Sequence, residues 1–197
     1  MEFNEVIKKR RVTREFAKRQ VEFKYIEAII EAGTLAPSCN HLRQWDFVIV
    51  DDEVLINFIS KQVGNGPASS NTPKNPYEDM CGYAFPRQQS MLKESKYIIL
   101  PIIKENSLYK TDNMFGLMHF ADTWCVIENM FLKATDLGLG CAMHVPSNIE
   151  QKNILEIVKC KVGYVIPCII GVGYPSENAY YPKEQEFDKN KIHRNRW

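Results

Sequence analysis

The segment Lys8–Arg19 has the sequence KKRRVTREFAKR and concentrates positive charge near the start of the chain. It contains seven basic residues and a single acidic residue, Glu15, although the 197-residue chain has a formal net charge of only +1. A basic cluster in a nearly neutral protein suits a local anion better than a polyanion. Arg10 and Arg14 are four residues apart, so on a helix or in a tight turn they would point the same way and could bind a phosphate. The alternative from charge alone is a solvated face of an N-terminal helix.

Length and composition predict one globular domain over residues 1–197. The chain is 45% hydrophobic and 25% charged, which is ordinary for a soluble protein large enough to bury a core. The longest apolar runs, Tyr97–Ile103 and Val165–Val172, are too short to cross a bilayer, and the N-terminus lacks the apolar region of a secretory signal. We therefore expect a cytoplasmic protein with neither a membrane nor a nucleic acid as its partner.

The six cysteines do not form a C-x-x-C pair, so reduced thiols are expected. Cys141 and His144 have a C-x-x-H spacing, but no second pair completes a zinc site. The sequence therefore predicts no metal centre, with structural or pocket-lining roles for these two residues.

Apolar periodicity predicts helices and strands mixed along the chain. The predicted helices are Glu22–Gly33, Glu53–Gln62, Arg87–Glu94, Asn113–Leu137 and Asn148–Val158, the last capped by Ser147 or Asn148. The predicted strands are Asp46–Val50, Lys96–Ile103, Gly140–Val145 and Val165–Tyr174. Pro101 suits a strand end or an edge strand. This mixture predicts an α+β or three-layer domain.

Two segments lack such a pattern. Gln62–Arg87 is rich in proline, glycine and small polar residues, so we predict a long irregular loop that is either a binding lid or disordered. The polar tail, residues 175–197, has no core of its own and must lie on another surface. The long helix Asn113–Leu137 is apolar around much of its circumference, which favours packing against a second subunit as well as the core.

Four sets of residues, taken in order, resemble the FMN-dependent nitroreductase family from Val6 to Trp197. They are R-R-x-T-R-x-F at residues 10–16, L-A-P-S with Q-W-D-F-V-I-V at residues 35–50, L-G-L-G at residues 137–140, and the closing H-R-N-R-W at residues 193–197. The resemblance implies a nitroreductase-like three-layer α/β/α sandwich with a mostly antiparallel central sheet. It also implies a homodimer in which the C-terminal tail, residues 175–197, crosses the partner subunit.

The resemblance places FMN against the N-terminal basic segment. It implies that Arg10 binds the phosphate or ribityl end and that Arg14 lies near the pyrimidine part of the flavin ring. Arg11 is a weaker candidate, and Val12, where the family often has serine, can contribute only its backbone. Positive charge near the ring would stabilise the reduced, anionic flavin.

The segment Pro37–Trp45, PSCNHLRQW, departs from the family pattern P-S-x-x-N-x-Q-P-W. By resemblance it reaches the flavin of the opposite subunit, which makes Ser38, Asn40 and His41 cofactor candidates. His41 is equally well interpreted as an ordinary polar loop residue. The departures at His41, Arg43 and Gln44 indicate a subfamily with its own substrate.

Two further regions are implied by resemblance. By resemblance, Met143, His144 and Val145, which follow L-G-L-G, pass beside the flavin, and a backbone N–H of this segment would donate a hydrogen bond to the ring. A single histidine such as His144 is more often a structural residue than a catalytic one. Lys183 keeps one cation of a P-K-x-R phosphate motif, and Arg87 is a further candidate ribityl or ring contact. Candidates for the slot beside the ring are Tyr83, Phe85, Phe115 and His119.

No catalytic side chain is required, because the flavin carries the redox chemistry. The resemblance implies ping-pong hydride transfer from NADH or NADPH to a small electron-poor acceptor such as a nitroaromatic or a quinone. Dehalogenation, flavin breakdown and non-catalytic flavin binding remain alternatives. The chain has no dinucleotide fingerprint, Walker loop or G-x-S-x-G elbow.

Overall fold

The computed structural model describes residues 1–66, 74–104 and 114–197. The helices are α1 Phe3–Lys9, α2 Phe23–Thr34, α3 Glu53–Gln62, α4 Pro76–Ala84, α5 Gln88–Glu94, α6 Met118–Asp136 and α7 Asn148–Ile157. The strands are β1 Trp45–Val50, β2 Tyr97–Lys104, β3 Gly140–His144, β4 Tyr164–Val165 and β5 Ile169–Gly173. Short 3-10 turns lie at Cys39–His41, Phe85–Arg87, Met114–Leu117 and Lys189–Lys191.

The strands form one sheet in the order β1-β2-β5-β3, with the short β4 also paired to β2. Every strand pairing in the described part of the chain is antiparallel, with Trp45 opposite Ile103 and Gly140 opposite Gly173 at two of the ends. The antiparallel sheet and the α+β class predicted from the sequence are therefore confirmed.

Side chains that alternate along β2 divide the core into two halves. Ile98 and Leu100 pack into a cluster with residues of α3, α5 and α7, whereas Tyr97 and Ile99 pack into a cluster with residues of α2 and α6. Successive side chains of a strand point to opposite faces, so a strand that is apolar throughout must be covered on both sides. The sheet is thus a middle layer between two layers of helices.

Local signals placed several of these elements correctly. In α2, Ile26, Ile29 and Gly33 are buried, as their spacing predicted. A Cβ atom at Gly33 would lie 2.8 Å from the Cγ atom of Met130, so glycine permits the close approach of α2 and α6. Ser147 caps α7 in a reciprocal capping box with Glu150, which confirms the predicted start of that helix.

Pro101 lies inside β2, which has neighbours on both sides, so its predicted place at a strand end or edge is wrong. The strand tolerates proline because β5 pairs with β2 only at residues 97–99 and β4 only at residues 103 and 104, which leaves the Pro101 position between them unpaired on that side. The sheet instead ends in β1 and β3, and within β1 only Val50 is fully buried.

The prediction of irregular structure throughout Gln62–Arg87 is also wrong, because α4 occupies Pro76–Ala84. Its start has clear local signals: the Asn75 side chain accepts a hydrogen bond of 2.9 Å from the Glu78 amide, and Pro76 occupies the first turn. The loop was predicted because the segment is rich in proline, glycine and small polar residues, and these capping signals were not given weight. Residues 67–73 lie outside the described part of the chain, and so does Asn113, the predicted first residue of the long helix.

The predicted strand Val165–Tyr174 is two strands, β4 and β5, separated around Pro167, which has no amide hydrogen for a ladder. After β5 the chain returns to the N-terminal segment, where Pro175 pairs with Phe16. Beyond residue 182 every side chain is exposed, and Phe187, Ile192 and Trp197 are more than two-thirds exposed. Among the described residues, none of the helices combines the length and apolar character that crossing a bilayer requires.

Candidate functional site

The basic segment is extended between Arg10 and Phe16 rather than helical. Helix α1 ends at Lys9, Val12 forms a parallel bridge with Cys141 of β3, and the Thr13 amide donates a 2.9 Å hydrogen bond to the Cys141 carbonyl. The helix or tight turn considered for Arg10 and Arg14 is therefore wrong, as is a solvated helix face. Both residues nevertheless reach the same cleft.

This cleft has a volume of about 1010 Å³ and is enclosed by three parts of the chain. Its first wall is Arg10, Arg11, Val12 and Arg14; its second is the start of α4 with Lys74 and Asn75; its third is formed by residues 182–186, including Lys183. Five predicted cofactor residues, from the two ends of the sequence, therefore line one cavity. The folding back of the tail onto the N-terminal segment brings them together.

The first two arginines of the cleft have acidic partners. The Arg10 Nε atom lies 3.3 Å from a carboxylate oxygen of Glu128, and the Arg11 Nε atom lies 3.0 Å from one of Glu184. Arg11 also donates to the carbonyl oxygen of Pro182. Both acids are more than half exposed, and such surface pairs contribute only about 0–1 kcal/mol. These pairs orient the guanidinium groups and are weak enough to yield to an anion.

Arg14 is different, because its Nε atom is buried and has no hydrogen-bond partner among the described residues. Burial is the main reason that the pKa of Arg14 lies below its ordinary value. A buried donor left without an acceptor costs about 1–3 kcal/mol. A ligand acceptor in the cleft would remove this cost.

Beside Arg14 lies a cluster of Glu15, Tyr83 and Arg87. The Tyr83 hydroxyl donates to Glu15, and the Arg87 Nε atom donates to the same carboxylate at 3.0 Å. The guanidinium carbon of Arg87 lies 4.3 Å from the centre of the Tyr83 ring, and that of Arg14 lies 5.7 Å from it. Burial and the hydrogen bond to Glu15 raise the pKa of Tyr83. The cluster ties the end of α4 to the basic segment.

Sequence reasoning did not assign Glu15 a role, and its only signal was being the single acid in the basic segment. Arg87, predicted as a flavin contact, binds Glu15 and does not line the cleft. Tyr83 stands beside the cleft's Arg14, whereas Phe85 packs against the Gly66 backbone and His119 lies near Trp45. The side chain of Phe115 is outside the described part.

Ser38, Asn40 and His41 lie elsewhere in this chain. The turn that carries them is fixed to α6 by a 2.9 Å hydrogen bond from the Cys39 amide to the Asp122 carboxylate. Asn40 and His41 both have a φ of 53°, a left-handed conformation that is costly for residues other than glycine. These three residues do not line the cleft of their own chain.

Met143, His144 and Val145 lie at the end of β3 and also outside the lining of the cleft. The His144 ring contacts Gln88 and Glu150, which supports a structural role for this side chain. Within residues 1–66, 74–104 and 114–197, no three potential metal ligands cluster, and all six cysteines are free thiols. The C-x-x-H spacing of Cys141 and His144 thus forms no metal site in the described part.

Comparison with known proteins gives a consistent result. Residues 7–174 match the model of the nitroreductase family. An Archaeoglobus fulgidus protein, provisionally named an NADH dehydrogenase/NAD(P)H nitroreductase, is 26% identical over 95% of this chain and 94% of its own length. An iodotyrosine deiodinase of Haliscomenobacter hydrossis is 25% identical over 97% of this chain and 87% of its own length.

The fold of a solved structure shows the same relationship. The FMN-dependent nitroreductase of Clostridium difficile R20291 superimposes with a TM-score of 0.72, covers 98% of each chain and is 26% identical. The family model covers most of this chain, and the fold and motif order agree with it. This protein therefore belongs to the nitroreductase family.

Proposed function

We propose that this protein is an FMN-dependent oxidoreductase that transfers a hydride from NADH or NADPH to a small electron-poor acceptor, such as a nitroaromatic or a quinone. The reductant and the acceptor use the same cleft in turn, which gives ping-pong kinetics. The observation that carries the proposal is the convergence of Arg10, Arg11, Val12, Arg14 and Lys183 on one cavity.

The residues present fit FMN. The cleft offers cations for a phosphate, and the buried Nε atom of Arg14 lacks an acceptor that a ligand could supply. Arg10, Arg11 and Lys183 would hold the phosphorylated end. When bound, FMN supplies reversible two-electron hydride chemistry.

Arg14 has a second role in this proposal. Its charge lies in a partly buried position where solvent screens it less than at the surface, so it stabilises negative charge that develops in the cleft. Glu15 binds Arg87 and Tyr83 and so supplies a negative charge that compensates the neighbouring guanidinium groups.

We propose that the active form is a homodimer. Two observations support it: Ser38, Asn40 and His41 do not reach the cleft of their own chain, and the tail leaves Phe187 and Trp197 exposed. A partner copy could supply the first set and cover the second. Light scattering after size-exclusion chromatography tests the mass, and deletion of residues 186–197 should weaken the dimer.

The direct test begins with the visible spectrum of the purified protein. We expect an FMN spectrum that NADH or NADPH bleaches without oxygen and that a nitroaromatic or quinone restores. A colourless protein that does not bind added FMN would refute the proposal. A flavin spectrum that neither nucleotide bleaches would indicate flavin binding without this turnover.

Dehalogenation is a second candidate, favoured by the similarity to the Haliscomenobacter hydrossis iodotyrosine deiodinase and by the departures at His41, Arg43 and Gln44. In that reaction two electrons and a proton replace the carbon–iodine bond by a carbon–hydrogen bond and release iodide. Iodide release from iodotyrosine by the reduced protein, compared with nitroaromatic reduction under the same conditions, separates the two candidates.

A further inference from the structure

After β5 the tail runs antiparallel to the basic segment and stays bound to it. The Ala17 amide donates a 2.8 Å hydrogen bond to the Tyr174 carbonyl, and the Ser176 amide donates one of 3.0 Å to the Glu15 carbonyl. These bonds join main-chain groups, so they hold the start of the tail without the help of side chains. Residues 180–184, which we call the strap, are held through side chains instead.

Thr13 provides one attachment of the strap. Its hydroxyl oxygen lies 3.1 Å from that of Tyr181, and Thr13 itself is buried. The position of this hydroxyl is fixed from two sides, because the Thr13 amide donates to the carbonyl of Cys141 in β3 and its side chain lies directly over Gly140. A Cβ atom at Gly140 would lie only 2.6 Å from the Thr13 Cβ atom. The attachment point is therefore part of the sheet.

Arg11 provides a second attachment. It donates to the Pro182 carbonyl, and its Nε atom lies 3.0 Å from the Glu184 carboxylate. Both partners belong to the strap, one on each side of Lys183 in the sequence. A guanidinium group has five N–H donors, so Arg11 can hold the strap and still donate to an anion in the cleft.

Tyr180 attaches the start of the strap to α4. Its hydroxyl donates a 3.3 Å hydrogen bond to the Asp79 carboxylate, and its ring meets the Tyr83 ring edge to face with 4.7 Å between the ring centres. The strap thus has attachments on α4 as well as on the basic segment. Loss of one attachment should loosen the strap without releasing it.

We propose that Tyr181 is a positioning residue whose hydrogen bond to Thr13 holds the strap so that Lys183 faces the cleft, which favours a phosphorylated flavin over an unphosphorylated one. Lys183 is exposed and lines the cleft without packing into the core. Its place therefore depends on the attachments that flank it in the sequence. This inference rests on the proposed function, since it takes the ligand of the cleft to be FMN.

The first test examines the strap without flavin. Trypsin cleaves after lysine, and cleavage within a folded protein requires local opening. In the full-length protein freed of flavin, cleavage after Lys183, followed by mass spectrometry, should be about threefold faster in Tyr181→Phe than in the wild type. Cleavage after Lys191, which lies beyond the strap, should be unchanged. Equal rates after Lys183 in the two proteins would refute the attachment.

The second test measures FMN binding by flavin fluorescence in a double-mutant cycle. Lys183→Met should weaken binding by about tenfold or more, because a charged donor is lost. Tyr181→Phe should weaken it by about threefold, but should have no further effect in the Lys183→Met background, because the strap then has no cation to place. Tyr164→Phe is the matched control, since it removes a hydroxyl from β4 and should leave the affinity unchanged.

Riboflavin, which lacks the phosphate, provides a second comparison. The wild type and Tyr181→Phe should bind it equally, because Lys183 acts on the phosphate. An equal loss of FMN and riboflavin affinity in Tyr181→Phe would indicate a general structural role and would overturn the proposal. So would an unchanged FMN affinity, or an effect of Tyr181→Phe that persists in the Lys183→Met background.

A failure of the proposed function would look different. A wild-type protein that bound no FMN would refute that function and, with it, the preference for a phosphorylated flavin. The trypsin rates would still decide whether the contact between Thr13 and Tyr181 holds the strap.

Discussion

Glu150 should make this protein more sensitive to acid than an ordinary surface glutamate would. Burial of its carboxylate acts to raise the pKa, but hydrogen bonds from Gly64, Ser147 and His144 outweigh burial and lower the pKa to about 2. The folded state therefore favours the ionised form. We predict that the variant Glu150→Gln is less stable than the wild type at neutral pH and that this difference disappears in acid.

The sign and size follow from linkage. A carboxylate whose pKa falls from an ordinary 4.5 to about 2 on folding stabilises the fold fully above pH 4.5, and this stabilisation is lost as the pH falls from about 4.5 to about 2. Each pKa unit corresponds to about 1.4 kcal/mol, which gives about 3.4 kcal/mol as an upper limit. Solvent reaches part of the side chain and screens it, so we expect about 1–2 kcal/mol.

Urea denaturation followed by circular dichroism provides the measurement. The free energy of unfolding of the wild type and of Glu150→Gln is compared at neutral pH and again near pH 3. Glu156→Gln is the matched control, because Glu156 is on the same helix and outside the hydrogen-bond set of His144. A wild-type advantage over Glu150→Gln that stays constant across this range would refute the reasoning, as would an equal advantage over Glu156→Gln.

Three further predictions concern the cleft and its supports. Arg14→Gln should weaken FMN binding by about 1.5–3 kcal/mol, because a charged donor is lost, and fluorescence titration with circular dichroism as a folding control measures this; unchanged affinity would remove Arg14 from the site. Gly140→Ala should destabilise the fold by about 1–3 kcal/mol in urea denaturation, because the added Cβ atom would lie 2.2 Å from the Thr13 hydroxyl oxygen. Gly64→Ala is the control, because its Cβ atom would lie no nearer than 3.7 Å to any neighbouring atom. Equal effects of the two substitutions would contradict this account. Ser147→Ala should cost about 0.5–2 kcal/mol in the same assay through loss of the helix cap, and a neutral effect would show that the capping bond is not formed.

Much of the fold was predictable because its signals are local. An apolar side chain recurs every three or four residues in α2 and at nearly every position of β2, so the covered faces of both elements follow from the sequence. The grouping of Arg10, Arg14 and Lys183 in one cleft was also predictable, because the family resemblance supplied the long-range relation that periodicity lacks.

Errors arose where local composition and spatial position disagree. Pro101 was placed at an edge from its chemistry alone, although the gap between two short partner strands accommodates it inside the sheet. The proline and glycine content around α4 concealed a helix that Asn75 caps. The residue type determines which backbone hydrogen bonds a residue can form. The neighbouring strands and helices determine which of those hydrogen bonds the fold requires.

By itself the sequence determined the family, the covered faces of the helices and strands, and the cations available to a phosphate. Only the tertiary structure decided that Glu15 holds Tyr83 and Arg87, which are 68 and 72 residues away, and that His144 lies between Gln88 and Glu150. Periodicity reports which way a side chain faces within its own element. Which side chain it contacts depends on how separate elements pack against each other. A local sequence pattern does not indicate contacts between residues that are far apart along the chain.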